Sequence, residues 1–343
     1  MQCSDCFPIT PIEDIGTVKI RRAPPVLASV IQAAGYTLND LNNTGYEIPY
    51  ASREQFMAVM KLLEDSPVTE RVAVCVTGTG VSGFFERWVS LEQLKARVFN
   101  QTMVDIISNQ EFCSYMQPIV DSVEQIIGFE FLLRPLPHGL EFQPHTLFEV
   151  ARRSGFHTYL DRAARRSAIE SSARHLPDGI KRFVNFLPSS IYNPKYCLTH
   201  TFQTIEEQGL RPEDFVFEVV ETEKIRDIDH LARIFSEYRE HGVHVAMDDV
   251  GSGYATLEVM SRLQPDYVKI DRGMISMCDQ ASHKQALIRE VVEKAGRFGG
   301  KVLAEGIERR EEFEFCLDNG IELAQGYLFG RPELEPPARF FES

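Results

Sequence analysis

Apolar and polar positions along this chain follow two different rhythms. From about residue 98 onward, short β-type runs recur: IIGFEFLL, RFVNFLP, FVFEVVE, HVAMDDVG, YVKID, KVLAEGIE and LAQGYLFG. Most are separated by amphipathic helical stretches such as DHLARIFSEYREHG and KQALIREVVEKAGRFGG. Strands alternating with helices over the rest of the chain predict a closed α/β barrel, with a doubly wound open sheet as the alternative. The first ninety or so residues read differently. Turn-rich stretches (RRAPP, NDLNNTGYEIPYAS), a helical pattern around Arg53 to Leu63 and a strand-like VAVCVTG predict a small α/β or α+β unit. The pattern VSLEQLKARVF, from Val89, predicts a helix linking the two parts. The expected domains are therefore residues 1–97, of unassigned or regulatory role, and a barrel over residues 98–343.

Two motifs in the first part carry little chemistry. GTGVSG follows a strand but lacks the Lys-Ser/Thr pair of a phosphate-cradling loop, so an ordinary glycine-rich turn is the better reading. Cys3 and Cys6 form a lone CxxC with no second CxxC and no His before His138, which falls short of four zinc ligands. The total of seven cysteines fits reduced thiols better than a disulfide framework.

Composition narrows the class. An apolar fraction of 43% and a charged fraction of 25% in 343 residues are ordinary for a soluble globular chain. No uninterrupted apolar run approaches the roughly 18 residues a membrane helix needs. The start, MQCSDCFPITPIED, lacks the pattern of a secretory signal, and a cytoplasmic protein is expected. A net charge of -14 argues against binding nucleic-acid polymers or anionic membranes, which need clustered Lys and Arg. A phosphorylated ligand would have to be met by bound cations or a few placed basic residues.

Polar residues inside the barrel runs supply the candidate chemistry. Buried strands tolerate a carboxylate only when it is paired or holds a metal. Yet Glu130, Asn185, Glu218, Asp248 with Asp249, Lys269 with Asp271, Glu305 and Gln325 fall one set to a strand. Barrel enzymes work at the C-terminal ends of their strands, so these residues are expected to converge at one mouth. Glu130, Asn185, Glu218 and Asp248 offer only oxygen ligands, which suits Mg²⁺ or Mn²⁺ rather than zinc. Neighbouring strand residues point to opposite faces, so Asp248 and Asp249 can share a site only where the chain leaves the sheet, and the following GSGY is read as that departure. A carboxylate pair there would bridge two ions, an arrangement suited to phosphoryl chemistry. Lys269 and Asp271 face one side of their strand, where the Lys can hold an attacking water or neutralise phosphate charge. Arg134 can offer a donor fork to a phosphate oxygen.

These residues resemble the EAL domain phosphodiesterases, which hydrolyse the bacterial messenger cyclic di-GMP. YMQPIV, GFEFLLR, NFLP, EVVE, DDVGSGY, KIDR, AEGIE and QGYLFGRP occur in the family's order over roughly residues 98–343. The resemblance implies a TIM-like (β/α)₈ barrel in which one strand runs against the others. It implies a first-metal ligand set of Glu130, Asn185, Glu218 and Asp248, with Asp249 joining Asp248 at a second metal and Asp271 in support. Lys269 would contact the nucleophilic water, Glu305 would help hold the metal site, and Gln325 would orient water or ligand. Glu221 would fix the loop from Gly251 to Tyr254, which in the family couples dimerisation to metal binding. A homodimer through the barrel is therefore implied. Arg134 and Glu308 would touch phosphate and guanine, and Leu132, third residue of the signature, would also contact the substrate. The implied reaction is attack of a metal-activated water on one phosphodiester, giving linear pGpG.

Three positions depart from the family pattern: EFL stands for EAL, Val250 stands where Phe usually follows the second Asp, and Ala255-Thr256 stands where Ser is common. None removes a ligand. Phe131 should point away from Glu130, so its bulk is expected in packing, whereas Val250 and Ala255 bear on loop mobility. Two other readings compete: a receptor that binds cyclic di-GMP without hydrolysis and signals through the first domain, and a hydrolase of another phosphodiester.

Overall fold

The computed structural model describes residues 12–41, 44–66, 72–79, 86–220, 227–251 and 257–341. Cys3, Cys6, Glu221, Ala255, Thr256 and most of the GTGVSG and Gly251–Tyr254 segments lie outside the described residues. The chain divides into two compact units, one running to Glu111 and including Pro137–Leu160, the other Phe112–Leu136 with Asp161–Ser343.

The first unit holds β1 (Gly16–Arg21), α1 (Pro25–Ala33), β2 (Asn39–Asp40), β3 (Gly45–Tyr50), α2 (Arg53–Glu64), β4 (Ala73–Gly78), β5 (Val89–Ser90), α3 (Leu91–Phe99), α4 (Gln101–Asn109) and α5 (Pro144–Ser154). Its sheet is antiparallel, in the order β2-β3-β1-β4-β5, so the leading elements form a split βαβ arrangement of α+β type. The Ser52 side chain accepts from the Gln55 amide to start α2, and Phe56, Val59, Met60 and Leu63 form the apolar stripe that the helix buries. They pack with Val18, Ile20, Ile48 and Val74. The α3 start is a capping box, with Ser90 and Gln93 bonding each other's backbone amides at 3.1 Å.

The second unit is a closed barrel of β6 (Phe112–Val120), β7 (Ile126–Pro135), β8 (Lys181–Phe186), β9 (Phe215–Val219), β10 (His244–Val250), β11 (Tyr267–Ile270), β12 (Lys301–Ala304) and β13 (Leu323–Gln325). Each strand pairs with the next in sequence and β13 closes on β6; β6 alone runs antiparallel to its neighbours. Closure excludes the open sheet, and the reversed strand matches the expected variant of the (β/α)₈ barrel. All seven β-type runs read from the sequence are strands; β6 was absent from that set.

The outward faces of the strands carry Phe129, Phe131, Val184, Phe217, Met247 and Val268 into the core shared with the surrounding helices. Phe131 is 3% exposed there, so its bulk is taken up in packing, as strand alternation requires. The inward faces carry a separate apolar layer of Ile119, Phe183, Val216, Ala246, Tyr267, Leu303 and Leu323. Among the described residues, no helix is long and apolar enough to cross a membrane.

Candidate active site

Alternation along the parallel strands dictates what lies above that apolar floor. Two residues beyond each floor residue, on the same face, stand Asn185, Glu218, Asp248, Lys269, Glu305 and Gln325. Glu130 faces inward on β7, opposite Gln117 of β6 in the register. On β6 the order is reversed, with Gln117 two residues before Ile119, because this strand runs the other way. One barrel end thus receives a layer of polar groups from widely separated parts of the chain.

Lys269 is the centre of this layer. Its Nζ, fully buried, lies 2.7 Å from Glu218, 2.6 Å from Glu305, 3.4 Å from Asp248 and 3.7 Å from Glu130. Glu130 is held from both sides: Asn185 Nδ2 donates to Oε1 at 3.1 Å and Gln325 Nε2 to Oε2 at 2.7 Å. Glu305 lies just past β12, where its amide donates to the Ile270 carbonyl. The strand ends fit closely here, since a Cβ on Gly326 would meet the Ile307 carbonyl oxygen at 2.1 Å. That position therefore admits only glycine.

Asp248 and Asp249 are brought to one place by a bulge. The β10–β11 register shifts between Met247 and Val250, and Asp249 takes the left-handed conformation at φ 53°. The sequence reading placed this pair at the point of leaving the sheet; the bulge achieves the same end inside the strand. One carboxylate oxygen each from Asp248, Asp249 and Glu305 lie within 4.8 Å of one another.

Crowded carboxylates shift one another. Burial works against the Lys269 ammonium, but Asp248, Glu130, Glu218 and Glu305 overcome it and hold its pKa well above the usual value. Burial, with Glu130 and Asp248 nearby, pushes Glu218 well above the carboxylate range, and burial and Asp248 do the same to Glu305. Asp248 is raised chiefly by burial, and Asp249 reaches about 6 through burial and the charges of Asp248 and Asp271. Glu130 moves the other way: burial raises it, but Lys269 and the amides of Gln325 and Asn185 outweigh that. Among the described residues, five acidic groups thus crowd around the Lys269 ammonium. Further positive charge would relieve this, and the donors are all oxygen or amide groups, which fits a hard divalent cation. Glu218 Oε1, buried and without a hydrogen-bond partner among the described residues, is the kind of atom such a cation would satisfy.

The other predicted residues have partners of their own. Asp271 caps a short helix, α11 in a chain that places α6 at His157–His175, α7 at Pro194–Cys197, α8 at Thr199–Glu207, α9 at Ile228–Glu240, α10 at Leu257–Leu263 and α11 at Arg272–Ile275. Its carboxylate accepts from the Gly273 amide at 2.8 Å while still raising the pKa of Asp249. Glu308 is exposed and paired with Arg272 at 2.7 Å. Leu132 and Arg134 share the inward face of β7 with Glu130, farther toward the strand end, and Arg134 donates to the Leu133 carbonyl. Gln117 is the residue the sequence reading passed over: it bonds Gln325 directly. The signal available was a lone amide inside the apolar run YMQPIV.

The profile of the EAL domain family matches residues 100–332. A probable cyclic di-GMP phosphodiesterase of Escherichia coli K12, PdeG, is 26% identical over 268 residues, which are 75% of this chain and 50% of that protein. The chain thus spans about half the length of that curated relative. A standalone EAL protein of Vibrio cholerae O395, solved in its c-di-GMP-bound form, superposes with a TM-score of 0.60 at 30% identity, covering 68% of this chain and 98% of that one. Klebsiella pneumoniae BlrP1, solved as a manganese and cy-diGMP complex, gives 0.60 at 22% identity over 93% of this chain and 96% of that one, a likeness of fold.

Proposed function

The chain belongs to the EAL domain family, and from that premise we propose that its barrel hydrolyses one phosphodiester of cyclic di-GMP to linear pGpG. The observation that carries this reading is the fully buried Lys269 surrounded by four carboxylates at the barrel end. In this reading Glu130, Asn185, Glu218 and Asp248 hold one Mg²⁺ or Mn²⁺, and Asp248 and Asp249 hold a second, with Asp271 in support. Such cations supply Lewis acidity, making water nucleophilic near neutral pH and neutralising charge on the phosphate. The manganese and calcium complexes of BlrP1 support a divalent-cation site in this fold.

The chain's own residues do the rest. Lys269, kept protonated by its neighbours, cannot serve as a base near neutral pH; it offers N–H donors that hold a water and balance developing phosphate charge. Glu305 lies against both Lys269 and the Asp248–Asp249 pair, which ties the ammonium to the carboxylate cluster. Asn185 and Gln325 keep the Glu130 carboxylate in one orientation. Leu132 and Arg134, on the same strand face, would contact the ligand, and Glu308 would reach guanine by exchanging its Arg272 partner. A homodimer through the barrel belongs to the same reading, and sedimentation velocity tests it.

Chromatography of cyclic di-GMP incubated with the purified chain and Mg²⁺ or Mn²⁺ tests the reaction. Accumulation of pGpG is expected. Binding without pGpG would replace this reading with a receptor.

A further inference from the structure

Gln117 lies opposite Glu130 on the one reversed strand, is 9% exposed, and enters none of the roles assigned above. Its Nε2 donates to the Gly330 carbonyl at 3.2 Å, and its Oε1 accepts from Gln325 Nε2 at 3.0 Å. The same Gln325 nitrogen donates its other proton to Glu130 Oε2 at 2.7 Å. Both ends of this chain of bonds, a backbone carbonyl and a carboxylate, accept only. The direction of every bond between them is thereby fixed. Turning Gln117 over would set its oxygen against the Gly330 carbonyl and its NH₂ against that of Gln325. Turning Gln325 over would set its oxygen against the Glu130 carboxylate.

Gly330 is built for this contact. A Cβ there would stand 2.8 Å from Pro118 Cγ, so a bare backbone is what lets the carbonyl approach the residue beside Pro118. The fixed polarity has one consequence: Gln325 Oε1 is left buried without a hydrogen-bond partner among the described residues. An unused buried acceptor is destabilising. Neither glutamine can turn to relieve it without breaking a bond already made.

We infer that Gln117 is a positioning residue: through Gly330 it sets the orientation of the Gln325 amide, which steadies Glu130 and presents Oε1 to an O–H donor, a water in the reaction proposed above. The inference rests on that reading for the identity of the donor. The bond chain itself is independent of turnover.

The experiment is a double-mutant cycle on the full chain, with Gln117→Met and Gln325→Met separately and together. Mn²⁺ affinity is read from the free-ion electron paramagnetic resonance signal, and kcat and KM are read where turnover is present. Each single variant should weaken Mn²⁺ binding roughly 3- to 10-fold, the worth of one hydrogen bond. The double variant should be no weaker than Gln325→Met alone. In turnover, Gln117→Met should lower kcat with KM near that of the wild type. Wild-type affinity in Gln117→Met, or losses that multiply in the double variant, would overturn the inference. If Gln117→Met does not fold, the side-chain amide protons of Gln325 in the ¹⁵N-labelled wild type decide: slow exchange of both supports the bond chain, and exchange as fast as free glutamine overturns it. Absence of pGpG in the wild type would refute the proposed reaction but leave the affinity cycle to judge Gln117.

Discussion

Replacing Lys269 by Met keeps the side-chain length and removes an ammonium that lies 2.6–3.7 Å from four carboxylates. Glu218 is as fully buried as the lysine, and Glu130 is 7% exposed, so the carboxylates left behind cannot recover their hydration. Removing one partner from a buried charged group costs about 3–5 kcal/mol. For a unit of this size that is a drop of about 6–20 °C in melting temperature. The sign of the pH effect follows from linkage. Without the ammonium, the folded carboxylates hold protons that the unfolded chain has released above about pH 4, so the stability of the variant rises as pH falls from 8 toward 5. Its deficit against the wild type should shrink over that range, and millimolar Mn²⁺ at pH 7.5 should restore part of it. Scanning calorimetry in chelator-treated buffer is the suitable assay, because the single tryptophan, Trp88, belongs to the first unit and not to the barrel. A barrel transition within about 2 °C of the wild type at every pH would refute the burial and pairing argument.

Three further outcomes are expected. Burial and its acidic neighbours raise Asp249 to about 6, so Mn²⁺ affinity should climb as pH rises through that value; Asp249→Asn should make the climb shallower there, and an unchanged slope around pH 6 in a calorimetric titration would contradict the assignment. Phe131→Ala, which restores the family's usual signature, should cost about 3–5 kcal/mol by emptying a site between strand and helices, while the folded fraction keeps its wild-type Mn²⁺ affinity. Asp161 accepts from the Leu187 amide at 2.9 Å and lies 3.0 Å from the buried Arg165, so Asp161→Ala should destabilise the barrel by about 3–5 kcal/mol; a loss under about 1 kcal/mol in urea unfolding would mean the pair is solvated.

The parallel strands were readable because a strand buried on both faces leaves a dense apolar run, and here each run ends on a polar residue that only a functional or paired role explains. β6 was harder for a physical reason. It carries Pro118, whose missing N–H argues against an interior strand, and its reversed direction puts the polar residue before the floor residue. That is also why Gln117 went unnoticed. Membership of Glu130, Glu218, Asp248, Lys269 and Glu305 in one cluster could be anticipated from strand ends, but the means by which Asp249 joins Asp248 could not. Alternation sends consecutive residues to opposite faces, and the bulge with Asp249 at positive φ depends on the neighbouring strand's register. The partners of Asp271 and Glu308, the Gly273 amide and Arg272, are local contacts of loop side chains. Periodicity carries no information about such contacts.

The most direct test of the central claim follows the oxygen of the attacking water. The chain, loaded with Mn²⁺, is incubated with cyclic di-GMP in oxygen-18 water, and the product is examined by mass spectrometry with a chelated sample and Glu130→Ala beside it. The account predicts pGpG carrying one heavy oxygen on its terminal phosphate, and none in the chelated or Glu130→Ala samples. Intact cyclic di-GMP in the Mn²⁺-loaded wild type, or pGpG formed at the same rate by Glu130→Ala, would contradict it.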